Sequence, residues 1–436
     1  MDVAYRALRS LARFLLAVFY RRVEVVGLER FPAQGPVVVA ANHPNGLVDP
    51  MILVARLPRR LVPIAKEPLF RNPLLAPFLR LMGAIPVHRR QDEGADPSRN
   101  REMFAAALET LRRERAILIF PEGVSQDEPR LAPLKSGAAR LALGAVEASG
   151  GSIVVRIVPV GLVAHEPGTF RGGWALAAIG DPIEVGAQPE ATARALTDRI
   201  ASAIEERIVV AADRHTVDLA QVAASVGRRR PDAADDDAAA RTAWVRAALT
   251  TLDRLEREFP EKAREVREDV EAWARDLERL GLEGASLPRT YRAAAVVRYA
   301  ILEGGPILLG VPLALLGMAL HGLPWLLVRI GVRLARPDST VEASYKLVGA
   351  LVVYPPAWLL EGWLAWRSGG GGALLAFAVL LIPAGFFALT WRERLLRVRR
   401  DAKGFFTFLV RGDLYARLRE RRDALRARLE ALGGRL

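Results

Sequence analysis

A base, a carboxylate and a few well-placed cations are the groups of chemical interest in this sequence of 436 residues, which has five histidines and no cysteine. His43 follows the apolar run 36–40 in the string VVVAANHPNGLVDP, and Asp49 lies six positions further on, where a helical pattern begins. An aspartate in that place accepts from the imidazole, fixes its tautomer and leaves the other ring nitrogen free as a general base. Capping of the helix is the commoner reason for an aspartate there, so the pair alone leaves both readings open. In GAIPVHRR, 83–90, an apolar run ends in Arg89 and Arg90. Guanidinium groups at a strand end hold phosphate bidentately, although a solvated basic pair has the same sequence. In FPEGVSQDEPRLAPLKSGAAR, 120–140, Glu122 and Gly123 stand at the exit of a buried strand. Glycine there opens backbone conformations closed to other residues. Lys135 and Ser136 precede a helical stretch, where free N–H groups and a cation meet an anion, unless the whole string is a plain polar connection. A fourth string, VRIVPVGL at 155–162, is a core strand broken by Pro159. The missing cysteine excludes a thiol nucleophile, a thiolate metal site and any disulfide.

These strings need a scaffold, and the sequence supplies one. From 23 to about 210, short β-branched runs at 23–26, 36–40, 61–65, 84–88, 116–120, 153–160 and 174–179 alternate with helical patterns such as 72–82 and 101–113. That alternation predicts an α/β domain: a mixed, largely parallel sheet flanked by helices. Before it, in 1–22, Leu8, Leu11, Phe14, Leu15, Val18 and Phe19 share one helical face, with Arg6, Arg9 and Arg13 opposite. Arg13 interrupts the apolar run and no small-residue cleavage site follows, so a signal peptide is not expected; an amphipathic membrane-surface helix is expected, with docking on the protein's own core as the alternative. Residues 211–296 form a helical insertion: a polar, Arg- and Asp-rich loop at 226–237, then helical patterns at about 238–258 and 260–280, with Pro260 at a first-turn position and Gly281 at a stop.

Beyond 297 the composition turns apolar. Residues 306–331, 347–366 and 372–391 each approach the roughly 20 residues of a bilayer span. Gly322, Leu323 and Pro324 interrupt the first, which is one tilted span or a re-entrant hairpin; the other two read as spans joined by a Gly-rich turn, and with the basic 332–346 loop, the tail and the α/β domain all cytoplasmic the hairpin is favoured. Residues 391–436 carry 14 basic and 6 acidic side chains, a net +8 of the chain's +13. A basic tail directly after apolar runs fits an anionic membrane better than nucleic acid, and its stripe of Leu414, Leu418, Leu425, Leu429 and Leu432 is that of a packed helix. No nucleic-acid partner is expected.

Taken in order and spacing, the four strings resemble the glycerolipid acyltransferase family, over roughly residues 20–185. The usual first motif, Asn-His then four residues then Asp, has five intervening residues here. That variant, with Pro121-Glu122-Gly123, Ser125 and Asp127, and the Pro-Leu-Lys string ending in Lys135, is similar to the fungal glycerol-3-phosphate/dihydroxyacetone-phosphate acyltransferase subgroup. The resemblance implies that His43 deprotonates an acceptor hydroxyl, that Asp49 orients it, and that acyl-CoA or acyl carrier protein is the donor. It implies that Asn45, Arg89, Glu122, Gly123, Ser125 and Lys135 shape or bind the acceptor, with Arg89 on its phosphate, and that Pro159 helps line the acyl site. No metal and no cofactor beyond the acyl thioester is implied. The acceptor expected is glycerol-3-phosphate, with lysophosphatidate or another lysophospholipid as the alternative, and a non-catalytic lipid-binding scaffold as the reading from a different class. Lys/Arg in the 332–346 loop and the tail place the protein in the cytoplasmic (inner) membrane, with the site on the cytoplasmic face.

Overall fold

The computed structural model describes residues 3–88, 100–187, 192–227, 237–280, 293–410 and 412–433. The chain divides into two compact units, Met1–Arg214 with Asp236–Ala243 and Pro337–Val348, and His215–Asp235 with Trp244–Arg336 and Gly349–Leu436.

The first unit is a sheet with helices on both faces. Its strands are β1 (Arg22–Val26), β2 (Val37–Ala41), β3 (Leu61–Lys66), β4 (Ile85–Val87), β5 (Ala116–Ile119), β6 (Val155–Ala164), β7 (Trp174–Ile179) and β8 (Ile183–Val185). Its helices are α1 (Val3–Phe19), α2 (Val48–Arg56), α3 (Ala76–Met82), α4 (Asn100–Arg112), α5 (Gly137–Ala148) and α6 (Ala193–Glu205). The strand order is β1-β7-β6-β2-β5-β3-β4, with β8 also on β6. Only the pairings of β6 with β7 and β8 are antiparallel; the rest are parallel. The central strand explains the layering. All five residues of β2 are buried, as a parallel strand covered on both faces requires. Val37, Val39 and Ala41 enter one core with Leu16 and Phe19 of α1 and Ile52 and Leu53 of α2. Val38 and Ala40 enter the other with Leu111 of α4, Leu141 of α5 and Ile200 of α6. Each such valine, leucine, isoleucine or phenylalanine contributes about 1.5–3 kcal/mol on leaving water, so the end of β2 is firmly anchored. β8, with three residues, is too short to leave a period in the sequence.

Two expectations change here. α1 is not a free membrane-surface helix: Tyr5, Ala12, Leu16 and Phe19 are buried in the unit's own core. Arg9, expected on the outer face, is buried too, and donates to the carbonyls of Leu57 at 3.0 Å and Ala55 at 3.4 Å, while Arg13 donates to Ala55 at 3.0 Å. The last carbonyls of a helix lack intrahelical partners and attract cations; the two guanidinium groups meet that need at the end of α2. The second change is that Pro337–Val348, expected in a separate membrane region starting at 297, belongs to this unit, with Ala343 and Leu347 buried in the same core.

The second unit is helical. It holds α7 (Arg214–Gly227), α8 (Ala238–Glu258) and α9 (Pro260–Leu280), then α10 (Ala293–Tyr299), α11 (Gly305–Leu309), α12 (Val311–Ala335), α13 (Ser339–Val410) and α14 (Gly412–Gly433), apart from the residues of α7, α8 and α13 already assigned to the first. Leu219 of α7, Leu255 of α8, Val266, Val270 and fully buried Trp273 of α9, and Leu418 and Leu425 of α14 share one core. Leu414, Leu418, Leu425 and Leu429 of the apolar stripe of the basic tail thus pack against protein. Exposed ion pairs of Arg428 with Glu265 and Asp269, and of Arg421 with Asp276, flank it; such pairs add little beside apolar burial.

The expected re-entrant hairpin at 306–331 is not formed. α12 runs unbroken through Gly322 and Pro324. In an apolar stretch every unmade backbone hydrogen bond is expensive, so the chain stays helical and gives up only the donor that proline lacks. α13 is interrupted at Gly369 and Gly370, where the sequence places a turn; Gly370 has φ 64° and ψ −151°, a region open to glycine. Two helical stretches among the described residues are long and apolar enough to cross a membrane, Val311–Ala335 and Ser339–Lys403.

Candidate active site

The site lies where the loops after β2 and β5 part. β2 leads into α2 on one face of the sheet, β5 into α5 on the other, and the two strands are neighbours, with Ala40 opposite Ile119. Loops leaving adjacent parallel strands towards opposite faces open a crevice at the carboxyl edge, where α/β sheets place their ligands.

His43 leaves β2 into this crevice. Its Nδ1 lies 2.9 Å from Asp49 Oδ2. Asp49 is 2% exposed, and the same oxygen accepts from the Asn45 N–H at 2.6 Å. The longer first motif therefore still closes: Gly46 takes φ +30° inside it and α2 begins at Val48, with Asp49 in its first turn. With Nδ1–H given to the carboxylate, the lone pair rests on Nε2, which has no hydrogen-bond partner among the described residues. The imidazole stacks on Phe120 with centroids 4.0 Å apart, so the ring is held on a second side. Burial pushes the Asp49 carboxyl upwards, and its bonds to His43 and Asn45 pull it back.

Glu122 does its work from inside. It is 4% exposed, and its two oxygens accept from the backbone N–H groups of His43 at 2.8 Å and Ala132 at 3.1 Å. Burial raises its carboxyl above the ordinary range despite both bonds. The Gln126 N–H returns to the His43 carbonyl at 3.1 Å. One carboxylate thus ties the β2 loop to the long loop after β5. Gly123 is favoured by its backbone, at φ +70°; a Cβ there would lie 2.5 Å from Lys135 Nζ, the movable end of an exposed side chain. Lys135 is exposed, with its stem across Gly123, and its N–H closes the loop on the Pro121 carbonyl at 2.8 Å. Ser125 is half-buried on the same loop. Pro159 lies on β6 opposite Ala40, beside the root of the loop.

Asn45, expected to bind substrate, is fully buried and holds the loop instead. Its amide donates to Tyr20 Oη at 2.9 Å and to the Pro167 carbonyl at 3.0 Å. Tyr20 is buried, which raises its phenol pKa; the nearby Asp49 charge adds to this. Arg89 and Arg90 lie outside the described residues. Just before them, the backbone of His88 exchanges two hydrogen bonds with the Asn100 side chain, at 3.0 and 2.8 Å.

Several positioning groups escaped the sequence reading. Asn42 uses its amide like a peptide, donating to the Leu162 carbonyl at 2.9 Å and accepting from the Leu162 N–H at 2.6 Å, which extends the β2–β6 ladder one step. Its place beside His43 was the available signal. Tyr20, Pro167 and Ser344 gave none, because their partners are far away in the chain.

Residues 22–163 match the acyltransferase family model. Similar proteins are 1-acyl-sn-glycerol-3-phosphate acyltransferase alpha of Homo sapiens, 30% identical over 161 residues that make up 37% of this chain and 52% of that protein. Glycerol-3-phosphate O-acyltransferase 1 of Saccharomyces cerevisiae is 26% identical over 314 residues, covering 50% of this chain and 41% of its own. The 1-acyl-sn-glycerol-3-phosphate acyltransferase of Borreliella burgdorferi is 30% identical over 122 residues, 28% of this chain and 46% of its own. The chain spans about half the length of the curated relatives it matches. Residues 22–163 are thus similar to the acyltransferase family, and the relatives named above are acylglycerol-phosphate and glycerol-3-phosphate acyltransferases.

Proposed function

We propose that this protein is a membrane-associated O-acyltransferase that moves a fatty acyl group from acyl-CoA or acyl carrier protein to the hydroxyl of glycerol-3-phosphate, with lysophosphatidate as the alternative acceptor. The observation that carries the reading is the His43–Asp49 pair, 2.9 Å apart at the carboxyl edge of β2 inside an acyltransferase-family domain. His43 Nε2 takes the hydroxyl proton as the acceptor oxygen attacks the thioester carbonyl. The C–S bond then breaks, and the leaving thiolate recovers the proton from the imidazolium that Asp49 has stabilised. No enzyme side chain is acylated. Gly123 and Lys135 line the acceptor side, and Arg89 is assigned to the acceptor phosphate on the family resemblance.

Both acceptors offer a hydroxyl near a phosphate. The longer first motif and the yeast relative favour glycerol-3-phosphate. The human and spirochaete relatives bear names that favour the lysolipid. Membrane attachment rests on the two apolar helices. Basic residues at Arg333, Arg336, Lys346 and along the tail favour the cytoplasmic face of the inner membrane, where a soluble acyl thioester is within reach. Mass-spectrometric identification of the lipid formed from acyl-CoA with each acceptor tests the assignment. Lysophosphatidate as product selects glycerol-3-phosphate, phosphatidate selects the lysolipid, and neither product rejects both.

A further inference from the structure

The catalytic loop is gripped from a distant part of the chain. The Leu47 N–H donates to Ser344 Oγ at 2.9 Å, across 297 residues of sequence. Gly46, beside it, runs so close to α13 that a Cβ would lie 2.7 Å from the same hydroxyl and 3.1 Å from the Thr340 carbonyl. A second grip lies two residues further on. Lys346 Nζ donates to the Gly168 carbonyl at 2.6 Å and pairs with Glu342 at 2.6 Å. Gly168 follows Pro167, whose carbonyl accepts from the Asn45 amide. Ala343 and Leu347, on the same turns, are buried in the core behind the loop. The first grip therefore ends on residues 46–47, between His43 and Asp49; the second ends on Gly168, next to the Pro167 carbonyl that holds the Asn45 amide.

We propose that Ser344 and Lys346, on the first turns of the helix that continues into the apolar run, are positioning residues for the His43–Asp49 pair, and that residues 337–348 are part of the acyl-transfer site. The inference rests on the acyltransferase reading for its kinetic half. Neither side chain needs to touch substrate. Leu47 and Gly46 follow Asn45, whose N–H holds Asp49 Oδ2 at 2.6 Å, so a loosened 45–47 segment frees the carboxylate that orients His43. Misplacement by about 1 Å costs a catalytic group as much as a hundredfold in rate.

Ser344→Ala and Lys346→Met in the full chain, in detergent, test this with two readouts. The first, independent of any reaction, is amide hydrogen exchange of residues 45–49. We expect about tenfold faster exchange in each variant, with β2 and β5 protected as before. The second is kinetics. kcat falls roughly ten- to a hundredfold while KM for donor and acceptor stays within about twofold, because the base loses its orientation and the binding groups stay in place. Unchanged exchange in both variants overturns the proposal whatever the activity. So does faster exchange with kcat unmoved. If the unaltered protein transfers no acyl group, the functional reading falls, and the exchange data alone decide whether the grips hold the loop.

Discussion

A histidine becomes a base through the groups that fix its tautomer, and at His43 those groups are Asp49, the Asn45 N–H behind it and the Phe120 ring. Replacing the imidazole removes the proton acceptor itself, so His43→Ala loses about a thousandfold in kcat with the fold intact. Asp49→Asn keeps the volume but not the charge and lowers kcat by at least about a hundredfold; thermal melting of both variants close to the parent separates chemistry from folding. Glu122 makes a different prediction. Burial holds its carboxyl above the ordinary range, so the folded state binds that proton more tightly than the unfolded chain. Its contribution to stability is greatest below the ordinary carboxylate pKa and is lost as pH rises through the raised folded value. Glu122→Gln also gives up one of two accepted N–H bonds. The variant melts lower than the parent, and the gap narrows as pH rises beyond the ordinary carboxylate pKa of about 4; a gap that widens with pH contradicts the assignment.

At the scale of elements, strands and loops were legible because their sequence signals are local. The triple valine of β2 and the Pro-Glu-Gly exit of β5 mark their places without help from the rest of the chain. What failed was anything decided by a partner. α1 has the face of a membrane-surface helix, yet the carbonyls at the end of α2 draw Arg9 inward and take a hydrogen bond from the exposed Arg13. Asn45 and Glu122 carry the residue types of a binding site, yet both are buried and hold loops. α12 has a glycine and a proline where a hairpin was expected, yet an apolar setting favours an unbroken helix. The docking of α1 is testable: Leu16→Ala, at a position 1% exposed, costs about 2–5 kcal/mol in unfolding free energy. A helix held only by lipid would lose vesicle binding and keep its stability. Tyr20→Phe removes the hydroxyl between Asn45 and Pro167 and costs about 1–3 kcal/mol, read by denaturant melting.

For the whole molecule, the combination of an α/β unit with long apolar helices fits a reaction with one water-soluble and one lipid-soluble side. The basic tail is a weaker tether than its charge implies, since the apolar stripe of α14 already packs on α9. Concentrated salt screens attraction to anionic lipid but leaves apolar insertion in place. The protein is therefore expected to stay with the membrane fraction through a high-salt wash and to leave only in detergent; release by salt alone contradicts the assignment of Val311–Ala335 and Ser339–Lys403 as its anchors. The most direct test of the central claim is thiol release from acyl-CoA by the purified full chain in detergent, with glycerol-3-phosphate or lysophosphatidate offered and His43→Ala run alongside. The chain has no cysteine, so it adds no thiol signal of its own. Acceptor-dependent release that vanishes in the variant is the predicted result. Equal release by parent and variant, with the variant folded, contradicts the assignment of His43 as the base.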